Sequence, residues 1–271
     1  MVRILYLDCF SGISGDMTVG ALLDAGGDFN KLKSELLKLG IEEEYELAIE
    51  KVNKNGITSS KFTVKLNEEE GNHHHDDHHH HDDSHDHHHH DHSHHHHHDH
   101  RTYKHIKQMI QTSELNLNVK EMALSMFHII AAAEAKIHGT DIEHVHFHEV
   151  GAVDSIIDIV GAAILIDALE IDEIISSPVP VGSGHVHIDH GIYPVPAPAT
   201  LEILKDVPIQ HTSVKGELTT PTGAAIVKAL VNQFGTMPSM EVKSIGYGAG
   251  TKTFKDHPNV LRAVIGTIKG K

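Results

Sequence analysis

Nineteen of the chain's 30 histidines lie between His73 and His100, interspersed with seven aspartates and two serines. The run opens with His73, His74 and His75 and continues through His78, His79, His80 and His81. Neutral imidazole is a nitrogen donor of intermediate softness that suits Ni, Cu, Zn and Fe, and the aspartates add oxygen ligands. So many imidazoles in a repetitive polar stretch make many exchangeable sites rather than one rigid site. That chemistry fits the gathering and relaying of a metal. The plain alternative is a solubilising linker whose metal affinity is incidental. With Glu68, Glu69 and Glu70 in front, residues 68–100 carry ten acids and no Lys or Arg. Such a segment is too polar to pack a core, so the sequence predicts a disordered His/Asp-rich metal-binding loop over 68–101.

A second pattern runs His144-Val-His146-Phe-His148-Glu149 and continues to Asp154 and Asp158. On a strand, residues two apart share a face, which would align the three histidines and turn Val145 and Phe147 to the core. A helix after it would place Asp154 and Asp158, four apart, on one face. Carboxylates on an otherwise apolar helix must find partners, and a metal with imidazole neighbours would supply one. The plain alternative puts Asp154 in a favourable first turn and pairs Asp158 with a lysine. Ala152 stands where a second His would be needed for HExxH, so a zinc protease helix is not supported.

His185, His187 and His190 form a third group, the first two sharing a strand face and the last at a turn; they are metal ligands or ordinary loop histidines. Gly182-x-Gly184 lacks the third glycine of a dinucleotide fingerprint. In Gly246-Tyr-Gly-Ala-Gly250-Thr-Lys, Thr251 separates Gly250 from Lys252, so the phosphate loop is also missed. Phe10-Ser-Gly-Ile-Ser-Gly-Asp-Met17 follows a strand and opens a helix. Such an N-terminus can bind an anion, although Ser14 or Asp16 acting as an N-cap is the simpler reading. Glu217-Leu-Thr-Thr-Pro-Thr-Gly has its proline near a helix start, and its hydroxyls either cap that helix or touch a ligand. Cys9, the one cysteine, reads as a core thiol.

The elements that must hold these residues are mixed. Strands are expected over residues 3–8, 173–176, 185–188 and 261–265, with an extended segment at 144–147. A hairpin is expected over 45–66, turning at Asn55-Gly56. Helices are expected over 17–25, 28–39, 102–110, 119–138, 151–169, 197–204 and 222–234. The fold class is therefore α/β (mixed α+β). One compact unit, made of an N-terminal segment 1–67 and a remainder 102–271, is interrupted by the loop. Outside 68–100 the chain keeps only −6 of its formal −16 charge, with no basic stripe for nucleic acid or anionic lipid. No run approaches the roughly 18 apolar residues of a membrane span, and no signal peptide is evident. These features predict a cytoplasmic protein.

Taken together, the segments DCFSGISGDM, HFHEVGAVDSIIDIVGAA, HGIYPVPAPAT, GELTTPTGAA and GYGAGTK with PNVLR resemble the LarC family of nickel insertion proteins. The matches are ordered and run from residue 8 to 262. The resemblance implies a nickel insertase, a metal chelatase of the lyase class. It would place Ni(II) into pyridinium-3,5-bisthiocarboxylic acid mononucleotide, giving the nickel-pincer cofactor of lactate racemase-type enzymes. Apo-lactate racemase is then the implied acceptor. It also implies CTP, held with Mn(II) or Mg(II) by a C-terminal domain. The chain ends at Lys271, where full-length relatives continue into that domain, so it resembles the N-terminal part only. On this reading His148 and Glu149 are the candidate catalytic residues. His146, His148, Asp154, Asp158, His185, His187, His190 and the tract histidines are the candidate metal ligands. A nickel chaperone or store, and a metal-dependent hydrolase, are the alternatives.

Overall fold

The computed structural model describes residues 1–67, 101–147, 152–188 and 191–268. Strand β1 (Val2–Asp8) shows how the sheet is built. Leu5 and Leu7 enter the main core, while Ile4 and Tyr6 join a smaller cluster on the opposite face with Ile175 and Val264, as a period of two requires. Helix α1 (Gly15–Asp24) follows. Helix α2 (Phe29–Leu36) is capped by the Asp28 carboxylate, which accepts the N–H groups of Asn30 and Lys31. It tightens into a 3-10 turn (Leu37–Leu39) and stops at Gly40, whose φ is 69°. A second 3-10 turn (Glu42–Glu44) leads into the hairpin β2 (Tyr45–Lys54) and β3 (Ile57–Leu66). Asn55 and Gly56 both take positive φ, 49° and 88°, the geometry of a two-residue turn matched to strand twist.

Helices α3 (Tyr103–Thr112), α4 (Leu117–His138) and α5 (Val153–Ala168) come next, then β4 (Glu173–Ser176). α5 is apolar almost all round because it packs against α1, α2 and α4 together. The following stretch is made of short pieces: β5 (Val179–Pro180), β6 (Gly182–Ser183), the ribbon β7 (His185–Ile188) and β8 (Gly191–Pro194), α6 (Pro198–Ile203), β9 (Ile209–Gln210) and β10 (Gly216–Glu217). Helix α7 (Pro221–Leu230), β11 (Gln233–Phe234), β12 (Glu241–Ala249) and β13 (Val260–Ile268) complete the described chain.

The main sheet has the order β11-β4-β1-β13-β12-β3-β2 and is mixed. β1 pairs parallel with β4 and antiparallel with β13, and β3 pairs parallel with β12. The mixed α/β expectation therefore holds. Helix α1 lies directly on β12, β3 and β13. It comes so close that a Cβ on Gly246 or Gly248 would strike the Ala21 or Met17 carbonyl, and one on Gly20 would meet the Ser60 carbonyl at 2.6 Å. Backbone rests on backbone there, which fixes where the helix N-terminus points.

Two local expectations are corrected. Of the segment expected to be extended over 144–147, His144 instead closes a 3-10 turn (Ile142–His144), because Asp141 caps the turn through the Glu143 N–H, and the chain turns extended only at Val145. The helix expected to run to Phe234 ends at Leu230. Val231 turns extended and Asn232 exchanges bonds with Ile174, so Gln233–Phe234 joins β4 instead.

Candidate functional site

The loop from β1 to α1 is held by the segment before α7. Ile13 donates its N–H to the Leu218 carbonyl at 3.1 Å and accepts one from Thr220 at 3.2 Å. Gly12, at φ 92°, lies against the Leu218 carbonyl, and Gly223 against the Ile13 carbonyl, so neither position has room for a Cβ. Thr220 caps α7 through the Gly223 N–H, and Pro221 occupies the first turn. Of the two roles open to that hydroxyl in the sequence, Thr220 performs the capping one.

This scaffold delivers a cluster to the first turn of α1. Ser14 is the N-cap residue but makes no side-chain cap bond; its hydroxyl donates to Asp16. Asp16 also accepts the Met17 N–H at 2.9 Å and forms an ion pair with Lys61. The cap comes from another element: the Asp158 carboxylate on α5 accepts the Asp16 backbone N–H. Gly15 makes this approach feasible, since a Cβ there would lie 2.6 Å from the Asp158 Oδ2. The Asp158 Oδ1 is sealed from solvent and has no hydrogen-bond partner. Burial, and then the negative charges of Asp16 and Asp154, hold this carboxyl well above its ordinary range despite the opposing charge of Lys61.

Asp154 is exposed and its Oδ1 accepts the Ser155 N–H at 2.8 Å. The two aspartates thus act on each other, as their spacing predicts, but the lysine pairs with Asp16 rather than Asp158. Val145 and Phe147 are buried, with Phe147 against Tyr103 and Phe127, while His144 and His146 are exposed. The alternation is as expected, although His146 makes a single bridge to Thr102 instead of belonging to a strand. His185 and His187 are exposed on one face of the β7–β8 ribbon. His148, Glu149, His190 and the tract from His73 to His100, including His74, His75, His78, His79, His80 and His81, lie outside the described residues. Among the described residues no three His, Cys, Asp or Glu side chains converge as a metal cluster. Cys9 is fully buried and its thiol is pushed up to about 12 by that burial, so it is a core thiol.

The glycines of residues 246–250 serve close packing, with Gly250 against Asn259 and Met17, and Gly182 lies against the Gly216 carbonyl. Neither glycine segment is shaped to cradle phosphates, so neither fits CTP. No helix among the described residues is long and apolar enough to cross a membrane. Sequence reasoning missed Lys61, Lys54 and the loop 250–259. Lys61 donates to the Thr251 hydroxyl at 2.8 Å, and Lys54 reaches the Thr251 and Lys252 carbonyls at 3.3 and 3.2 Å. Only the basic string Lys252-Thr-Phe-Lys255 signalled it.

Comparison with known proteins gives the same direction throughout. Residues 5–271 match the family model described as nickel insertion protein. A pyridinium-3,5-bisthiocarboxylic acid mononucleotide nickel insertion protein of Geobacillus kaustophilus is 54% identical over 98% of the chain and 60% of its own length. The protein of the same description from Clostridium kluyveri is 50% identical over 98% of the chain and 62% of its own. A putative nickel insertion protein of Geotalea daltonii is 47% identical over 98% and 61%. The chain thus spans about 60% of the length of these curated relatives. No solved structure matches it. With residues 5–271 matched by that family model, the chain belongs to the nickel insertion protein family.

Proposed function

We propose that this chain takes up Ni²⁺ and inserts it into pyridinium-3,5-bisthiocarboxylic acid mononucleotide, the compound in the names of its relatives. Nickel is the cargo. Insertion needs two sulfur donors from the precursor and the loss of one ring proton: the C–H bond breaks, its electron pair forms the carbon–nickel bond, and a base takes the proton. His146, His148 and Glu149 are assigned to nickel binding or to that base, with Asp154 and Asp158 behind them. The tract histidines, and His185, His187 and His190, gather metal. The geometric observation that carries the reading is Asp158. Its carboxylate sits at a helix N-terminus with one oxygen sealed in and unclaimed, ten positions after His148 in the sequence. An unclaimed carboxylate oxygen is satisfied by a cation or a proton.

The product would serve as cofactor for lactate racemase-type enzymes, with apo-lactate racemase as acceptor. CTP, with Mn²⁺ or Mg²⁺, is assigned to the portion of the relatives that this chain does not span. The test mixes chain, Ni²⁺ and precursor, with and without that portion and CTP, and follows the metal–ligand absorbance. Absorbance should appear in the complete mixture and fall at least about tenfold with His146→Ala/His148→Ala. Nickel uptake with no change in absorbance under any condition would instead make the chain a nickel chaperone or store.

A further inference from the structure

The chain is acidic overall, yet two lysines of the β2–β3 hairpin, Lys54 and Lys61, meet the loop between β12 and β13, which itself carries Lys252. The Lys54 ammonium reaches only neutral oxygens, the Thr251 and Lys252 carbonyls and the Thr253 hydroxyl, at 3.2–3.4 Å. Lys61 donates to the Thr251 hydroxyl while pairing with Asp16. Lys252 donates to the Glu217 carbonyl at 3.2 Å. Among the described residues neither Lys54 nor Lys252 is in a salt bridge. Half-buried Lys54 is pushed below its ordinary range, first by burial and then by the charge of Lys61, with Asp16 opposing. Two ammonium groups held near each other with one carboxylate between them are short of an anion.

The same loop carries an aromatic group. His257 has its ring 5.9 Å from that of Phe10 and 6.2 Å from that of Phe254, and its Nε2 is buried without a partner. Phe10, though a large apolar side chain, is 37% exposed. The loop is pinned in place. Gly250 donates to the Asn259 carbonyl, the Asn259 amide to the Lys252 carbonyl at 2.9 Å, and the Asn55 amide to the Lys255 carbonyl at 2.9 Å. A pinned loop binds without an ordering cost.

We propose that Lys54, Lys61 and Lys252 hold the phosphate of a pyridinium mononucleotide, while Phe10, Phe254 and His257 receive its ring. Lysine ammoniums suit a phosphate as point charges. A cationic ring is attracted to aromatic faces, and the unpartnered His257 nitrogen offers a hydrogen bond to a ring substituent or ribose hydroxyl. The Lys61–Asp16 pair then links this site to Asp158. The choice of ligand class rests on the insertase reading, whereas the site itself rests on the lysines and rings.

The test is calorimetric titration of the 271-residue chain with nicotinic acid mononucleotide and with its riboside, which lacks the phosphate. The mononucleotide should bind about tenfold more tightly, the worth of one charge-assisted hydrogen bond. Lys54→Met and exposed Lys252→Met, each with an unchanged circular dichroism spectrum, should erase that preference, and exposed Lys31→Met should keep it. Phe254→Ala should weaken both probes alike. No binding of either probe, equal affinities in the unmodified chain, or a preference retained in both loop-lysine variants would overturn the proposal. A phosphate preference that depends on Lys54 in a chain that fails the insertion assay would uphold this site and remove only the insertase reading.

Discussion

At Asp158 one side chain serves two opposed demands. Its carboxylate accepts the Asp16 N–H at the start of α1, where negative charge is favoured, yet its other oxygen is sealed without a partner. The spacing of Asp154 and Asp158 was legible in the sequence because it depends only on helical period. The unclaimed oxygen was not, since it depends on a helix start more than a hundred residues earlier. Burial first, then Asp16 and Asp154, raise the folded pKa above the ordinary value of 3.8. The folded chain therefore holds this proton more tightly than the unfolded chain does. The stability it contributes is complete below the ordinary value and is lost as pH rises through the folded one. Asp158→Asn keeps an acceptor for Asp16 and removes the charge. It should gain on the unmodified chain as pH rises from about 4 to about 8, by about 1–3 kcal/mol at the upper end, or roughly 2–4 °C of melting temperature per kcal/mol. Thermal melts across that range check the trend. A melting temperature at pH 8 that is lower for the Asn variant would mean that the carboxylate is held charged by a partner.

The element that sets this geometry is α1, and its position is set by glycines rather than by large side chains. Residues 246–250 looked like a failed phosphate loop, and the glycine pattern did not reveal its use. What those glycines do depends on which helix crosses β12, a contact between residues more than two hundred positions apart. The hairpin over Tyr45–Leu66, by contrast, was readable to its turn, because alternation and Asn55-Gly56 are local signals. The short strands β5, β6, β9 and β10 were not, being two residues each and fixed by long-range pairing. Gly248→Ala would drive a Cβ into the Met17 carbonyl, and backbone cannot give way as a side chain does. It should destabilise the chain by about 1–3 kcal/mol or more. Gly235→Ala, where an added Cβ meets nothing within 4 Å, should change stability by no more than about 0.5 kcal/mol. Denaturant titration of the pair checks this, and equal midpoints would show that α1 can shift away from the sheet at no cost.

At the scale of the whole molecule, the composition of the tract suggests metal binding, but says nothing of where its flanks join the fold. The structure adds its two anchors. Asn67 donates its backbone N–H to the Glu44 carbonyl and its amide to the Glu43 carbonyl, and Arg101 pairs with the Glu44 carboxylate. Asn67 and Arg101 are therefore both tied to the same 3-10 turn (Glu42–Glu44), so a short flexible linker can join these anchors without moving either. Shortening a connection between two fixed anchors costs little or slightly stabilises, since closure entropy grows only slowly with length. A chain with 68–100 replaced by such a linker should keep its melting temperature within a few degrees, roughly the effect of 1 kcal/mol, while losing most of its bound Ni²⁺ equivalents. Metal binding by the intact chain should also fade as pH falls through about 6.5, where protons compete for free imidazole nitrogens. Calorimetric titration with Ni²⁺ at two pH values reads both effects. Unchanged stoichiometry after deletion would place the metal outside 68–100, with His146 and the Asp158 cluster as the first residues to replace.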